Sequence, residues 1–241
     1  MGRSIVISQS MYFPWVGLLE QLRLADAFVH YDAVAFDRGF YNRVQVKTEQ
    51  GSRWITVPLS NHRRGQPIDE IKIDNTQNWQ NQHMGVLRQA YRDAPFRDEM
   101  LDLVDSVIGA PAETLGQVSR ASILALAGYF DLRSSREFVD ARTLGLEGER
   151  SQRLRDMVLA LHGTKYITGH GARNYLDHTL FEDAGIAVKY MRYECVPYPQ
   201  LHGAFTPYVT GLDLIANCGK GGSSVIRSAA VDWRQFVDAS A

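Results

Sequence analysis

The feature that most constrains this chain is the order strand, loop, helix, strand at its start. Ser4-Ile-Val-Ile-Ser8 is a short run of β-branched Ile and Val bounded by polar residues, which reads as a buried strand. Pro14 suits a helix's first turn, and Leu18, Leu19, Leu22 and Leu24 carry helical spacing between Gly17 and Ala25. Ala27-Phe-Val-His-Tyr31 is the next strand. Four such elements within about 30 residues make a βαβ unit. Its right-handed crossover brings both strand ends to one edge of a parallel sheet. Gln9, Tyr12 and Asp32 are therefore expected close together, at the edge where ligands meet an α/β sheet.

Further on, Arg43-Val-Gln-Val-Lys47 and Arg53-Trp-Ile-Thr-Val57 flank Glu49-Gln-Gly-Ser52 and predict a hairpin with Gly51 in its turn. Ile68 to Ile73 reads as a third antiparallel strand. Between them, Asn61-His-Arg-Arg-Gly-Gln-Pro67 is an exposed polar loop whose two arginines either grip a phosphate or form a solvated turn. The middle of the chain is helical: a helix capped by Asn75 or Thr76 and running to Ala90, then Phe96 to Ile108, then Ala112 to Tyr129. Alternation returns with strands at Glu137 to Asp140, Tyr166 to Thr168 and Ile186 to Tyr193, separated by helices at Glu149 to His162 and Ala172 to Ala184. The expected architecture is one α/β domain over residues 1–241. It has a Rossmann-like mixed sheet, an antiparallel hairpin insertion and a helical segment over about residues 76–130.

With 241 residues, 45% hydrophobic and 22% charged, the chain has enough apolar side chain for a sizeable core. Its formal net charge of -1 provides no global field for nucleic acid or an anionic membrane, and neither is expected as a partner. Cys195 and Cys218 fit neither a disulfide framework nor a zinc-binding thiol pair, and two free thiols suit a reducing cytoplasm. No apolar run approaches the roughly 20 residues of a membrane helix, and no apolar signal segment opens the sequence. A cytoplasmic protein is expected.

Thr168-Gly-His-Gly-Ala-Arg-Asn-Tyr175 is the second informative loop, since Gly169 and Gly171 flank His170 after a strand and permit close backbone approach to a ligand. A Gly-assisted strand-to-helix turn is the alternative. His170 is a candidate general base or acid, because imidazole titrates near neutral pH. His83 lies four residues from Trp79 on one helix face and joins it as a candidate ligand contact. No His-Glu-x-x-His arrangement supports a metal site, and no Gly-x-Ser-x-Gly elbow supports a serine nucleophile. Gly219-Lys-Gly-Gly-Ser-Ser224 follows a helix rather than a strand, so Gly219 reads as a helix stop and not as a phosphate loop. Phe13, Trp15 and Phe40 suit a core. Tyr12, Tyr41, Tyr198 and Tyr208 suit sugar or nucleoside binding as well, while Asp32, Asn42, Arg43 and Lys47 need polar partners if enclosed.

These residues together resemble the WbqC-like protein family. Gln9, Tyr12, Pro14, Trp15 and Gly17 fit its opening motif, approximately His-Gln-Pro-x-Tyr-x-Pro-Trp-x-Gly. Ala25 to Val29, Asp32, Phe36, Arg38, Asn42, Arg43, Trp54 to Pro58, and the Trp79–His83 pair fit the elements that follow. Arg153-Leu154, Tyr166, Gly169, Gly171, Tyr175 and Leu176, then Tyr198, Gln200, Phe205, Pro207, Asp213, Leu214, Asn217 and Gly219, resemble its later half. Ser8 and Ser10 depart from it, standing where the family pattern has His and Pro. The resemblance implies a biosynthetic context in bacterial surface glycans and related clusters. It points to a transferase that places an acyl or aminoacyl group on an amino sugar, with a nucleotide-linked amino sugar as its small-molecule partner; it names no cofactor. In such a reaction Asp32 or His170 is the candidate base, and Asn42, Arg43 and the amides around Gly169 to Gly171 are candidate oxyanion donors. Gln9, Tyr12, Trp15, Trp79, His83, Tyr175, Tyr198 and Gln200 are candidate substrate contacts. Two alternatives stand beside it: an adenylate-forming or nucleotidyl-transferring enzyme, and a non-catalytic binding or scaffold protein.

Overall fold

The computed structural model describes residues 2–37 and 39–239, so Arg38 lies outside the described residues. Strand β1 (Ser4–Ser8), helix α1 (Val16–Leu24) and strand β2 (Ala27–His30) form the opening βαβ unit, with β1 and β2 parallel and Ser8 opposite His30. β3 (Arg43–Thr48) and β4 (Gly51–Thr56) then pair as a separate antiparallel hairpin. Gly51 closes it with φ +102°, in the left-handed half of backbone space that glycine enters without strain. Helices α2 (Trp79–Ala90), α3 (Arg97–Ile108) and α4 (Leu115–Tyr129) make the helical middle. A full capping box on Thr114 and Gln117 starts α4.

The chain then returns to the sheet with β5 (Glu137–Asp140), α5 (Arg150–Ala160), β6 (Lys165–Thr168), α6 (His178–Glu182) and β7 (Ala187–Arg192). It closes with α7 (Gly211–Cys218), β8 (Ala229–Asp232) and α8 (Trp233–Asp238). Among the described residues the main sheet has six strands in the order β5-β2-β1-β6-β7-β8, parallel except for the edge strand β8. This is a Rossmann-like mixed α/β sheet, with the hairpin and helical middle inserted between β2 and β5. Alternation along the strands gives the sheet two buried faces. Val6 and Phe28 pack with α1, the helical middle and α7, whereas Ile5, Ile7, Val29 and Val188 pack with α5 and α6. No helix among the described residues is long and apolar enough to cross a membrane.

Three elements differ from the sequence reading. Ile68 to Ile73 is not a strand; it is a single 3₁₀ turn, Ile68–Glu70, followed by isolated bridges. Ile68 and Ile71 are both fully buried, a spacing of three that places them on one side of a 3₁₀ turn and that alternation cannot provide. The helix expected from Ala172 to Ala184 is broken into a 3₁₀ turn, His170–Asn174, and α6. Asp177 causes the restart, accepting from the amides of Thr179 and Leu180 as an N-cap. Strand β8 was outside the expectation; it pairs antiparallel with β7 and adds a Lys189–Asp232 ion pair at 3.1 Å.

Candidate functional site

From β1 the chain crosses to β2 on one side, and from β6 it crosses to β7 on the other. The neighbours β1 and β6 therefore bracket the topological switch point, where the loops diverge and leave a crevice beyond the strand ends. A cleft of about 850 Å³ opens there. Ser8 and Gln9 at the end of β1 and Thr168 to Ala172 at the end of β6 line it. Aromatic residues surround these groups. Trp15 lies 5.0 Å from Tyr193 and 5.4 Å from Tyr208, and Tyr31, Tyr41, Tyr166 and Tyr175 contribute further lining. Tyr175 and Tyr208 are each 57% exposed, so the cleft offers aromatic faces that the fold itself does not cover. Burial pushes the hydroxyls of Tyr31, Tyr41, Tyr175 and Tyr193 up, which keeps them protonated donors near neutral pH.

The loop between β1 and α1 is fixed from several directions. Phe13 holds φ +38°, a strained value for a bulky side chain. Its amide donates to Ser122 Oγ at 2.9 Å, and its carbonyl accepts from Thr210 Oγ1 at 2.8 Å. Gly211 N donates to Pro14 O at 2.7 Å, tying the loop to the segment that delivers Tyr208. Trp15 folds over Gly17, where a Cβ would lie 2.2 to 2.6 Å from the indole carbons.

His170 sits in the cleft lining with Nε2 2.7 Å from Met191 O. A carbonyl only accepts, so Nε2 carries the proton and Nδ1 is left as the basic nitrogen. The ring is flanked by Tyr193 and Phe236, with centroids at 5.1 and 4.8 Å.

Of the candidates named from the sequence, Gln9, Trp15, Tyr41, Gly169, His170, Gly171, Tyr175 and Tyr208 share this lining. The others lie elsewhere. Asp32 is completely buried, accepting from Ser10 N at 2.7 Å, Ser10 Oγ at 2.8 Å and Arg120 Nε at 2.6 Å. Since Ser10's single hydroxyl proton goes to the carboxylate, His30 Nδ1, 2.8 Å from Ser10 Oγ, is the donor in that contact. Arg120 also pairs with Asp140. This network braces the ends of β1, β2 and β5 behind the cleft.

Tyr12 is likewise fully buried, its hydroxyl donating to His83 Nδ1 at 3.0 Å while His83 Nε2 donates to Thr56 O at 3.1 Å. Trp79 packs 5.2 Å from the same imidazole and donates to Asn75 Oδ1 at 3.2 Å. Burial depresses His83 to about 4 and His30 to about 4, so both are neutral at pH 7. Tyr198 and Gln200 belong to another enclosed group, in which Lys47 Nζ donates to Gln200 Oε1 at 3.1 Å and to the carbonyl of Ala204 at 2.6 Å. Asn42 and Arg43 line a separate recess beside the hairpin.

Tyr31, Tyr193, Gln21 and Arg150 line the cleft and were not singled out from the sequence. Two of them had a readable signal: Tyr31 follows β2 and Tyr193 follows β7, so each is an aromatic at the carboxyl end of a parallel strand. Cys195 also reaches the cleft; burial pushes its thiol up, which disfavours the nucleophilic thiolate. Among the described residues no group of three or more His, Cys, Asp or Glu is placed to hold a metal ion.

Comparison with known proteins adds a relationship to this geometry. The model of the WbqC-like protein family matches residues 9–224, a span that contains the switch-point loops and most of the cleft lining. The chain is 31% identical over 221 residues to the uncharacterized protein Rv1507c of Mycobacterium tuberculosis, covering 90% of this chain and 94% of that one. No solved structure matches the chain.

Proposed function

Because this chain belongs to the WbqC-like protein family, we propose that it is a biosynthetic transferase that places an acyl or aminoacyl group on an amino sugar or a related small amine. The setting is bacterial surface-glycan or secondary-metabolite biosynthesis, and the two free thiols, Cys195 and Cys218, fit a reducing cytoplasm. One observation carries the reading: His170 and the exposed faces of Tyr175 and Tyr208 share a single cleft at the sheet's switch point. Exposed aromatic faces stack on the apolar face of a sugar or on a nucleoside base, and tyrosine hydroxyls at the rim donate to its oxygens. His170 Nδ1 takes the proton of the sugar ammonium, so that the free amine attacks the acyl carbon; as the tetrahedral intermediate collapses, the bond from that carbon to the acyl donor's carrier breaks, and the carrier leaves with the electron pair and takes the proton back from His170. Gln9 and Arg150 are the donors for the oxyanion that forms there. Asp32 acts at a distance by holding Ser10 and so the start of the loop that carries Trp15.

A thermal-shift panel of nucleotide-linked amino sugars, ATP and acyl donors tests this. A nucleotide-linked amino sugar raises the melting temperature. His170→Gln keeps that shift, because Gln preserves a donor toward Met191 O, and loses transfer. Stabilisation by ATP alone instead supports adenylate formation. Ser8, on the cleft lining where the family pattern has His, favours a second reading in which the cleft binds without reacting. Binding with no turnover toward any acyl donor identifies that case.

A further inference from the structure

The arginine-bearing loop at residues 61–67 and Arg43 take no part in the cleft, yet they adjoin it. Phe36 N donates to Gln66 O at 2.9 Å and the Phe36 ring meets His62 edge-on at 5.5 Å, so this loop folds back on the segment that carries Tyr41 into the cleft. Phe36 and Tyr41 contact each other with ring centroids 6.4 Å apart, and on the Phe36 side lies a second recess of about 310 Å³. Tyr41 lines the cleft and Phe36 the recess, so this pair of rings adjoins both.

Arg43 is the fixed cation of that recess. Its Nε donates to Gly39 O at 3.1 Å and its guanidinium lies 4.5 Å over the Trp54 ring, two contacts that set the plane of the fork. Among the described residues no carboxylate forms an ion pair with it, nor with the exposed Arg63 and Arg64 of the neighbouring loop. A planar guanidinium held in place with its charge uncompensated matches a tetrahedral anion, which takes two parallel N–H donors from one arginine.

We infer that the Arg43 recess is an anion subsite for the phosphoryl group of the ligand whose ring occupies the adjoining cleft. Arg43 grips two phosphoryl oxygens, and Arg63 and Arg64 add a positive field at the rim. The assignment deepens the reading of a nucleotide-linked ligand and rests on it, but its test does not.

The probe is inorganic pyrophosphate, titrated calorimetrically into the full chain at low and high salt. Saturable binding that weakens with salt is expected. Arg43→Gln weakens it about tenfold or more, the loss of a charge-assisted pair. Thr56 stands directly opposite Arg43 in the hairpin register, so Thr56→Glu places a carboxylate beside the guanidinium and closes the subsite without altering Arg43. It weakens binding at least as much, at an unchanged melting temperature. A bulky Gly171→Trp in the cleft leaves pyrophosphate binding as it was. Absence of saturable binding to the wild type, or wild-type affinity in both Arg43→Gln and Thr56→Glu, overturns the subsite. Since the probe contains no sugar, pyrophosphate binding that depends on Arg43 upholds the subsite even if every amino-sugar nucleotide fails to bind.

Discussion

Full enclosure of the Asp32 carboxylate is tolerated because three donors reach its two oxygens, and the closest is the charged Arg120. Ser10 contributes two of the three through its amide and hydroxyl. The proline of the family pattern has neither group, so this departure tightens the junction between β1 and its loop. Removing Arg120 leaves an uncompensated buried charge, and Arg120→Ala is expected to cost about 3 kcal/mol. Urea unfolding checks it as a lowered midpoint with an unchanged slope. His30 and His83 are buried without charge, so the unfolded chain binds protons that the native state does not. Their contribution is fully present above pH 6.5 and is lost as pH falls from 6.5 toward 4. Each adds a slope of up to about 1.4 kcal/mol per pH unit in that window. Urea titrations at pH 7 and pH 5 should show the loss, and His83→Asn should flatten it. At this scale the residue types were readable and their settings were not. Asp32 at a strand end looks the same in sequence whether it faces a ligand or Arg120, a residue 88 positions away.

Helix α1 begins at the cleft, and its first turn shows how local packing serves the site. Gly17 has no Cβ because the Trp15 indole occupies that space. Gly17→Ala gains up to about 1 kcal/mol of helix propensity but pushes the indole off its contacts with Tyr193 and Tyr208. The expected outcome is a melting temperature that changes little, a shifted tryptophan emission and a clear loss of ligand affinity; unaltered affinity would remove Trp15 from the site. Elements with a strong local period were legible in the sequence: the opening βαβ unit, the hairpin around Gly51 and the three middle helices. The 3₁₀ turn at Ile68 was not, because Ile71 and Ile73 alternate as a short strand does and the spacing of three from Ile68 is a single interval. Strand β8 was missed for a related reason: Ala-Ala-Val-Asp is a run of small residues whose pairing comes from its neighbour β7, not from its own propensity.

Across the whole molecule, one topological fact sets the site. The strand order reverses between β1 and β6, and residues from positions 7 to 208 meet in the crevice that results. Gln9, Trp15 and the Gly169 to Gly171 loop were readable because they abut strands with clear patterns. Tyr31 and Tyr193 carried the same strand-end signal, whereas Gln21 and Arg150 arrive by tertiary packing, for which periodicity carries no signal. The inserted hairpin and helical middle draw Tyr12, Trp79, His83, Asn42 and Arg43 toward a core and a second recess instead. Gly171 gives the most direct test of the cleft. A Cβ there meets nothing within 4 Å, so Gly171→Trp can fold normally while its indole fills the crevice. The deciding measurement is the affinity of the best-stabilising nucleotide-linked amino sugar for wild type and Gly171→Trp, with melting temperatures recorded alongside. A switch-point site predicts equal stability of the two unliganded proteins and at least about a hundredfold weaker binding by the variant, a difference near 2.7 kcal/mol. Equal affinity in a folded Gly171→Trp protein would contradict it and place the ligand elsewhere.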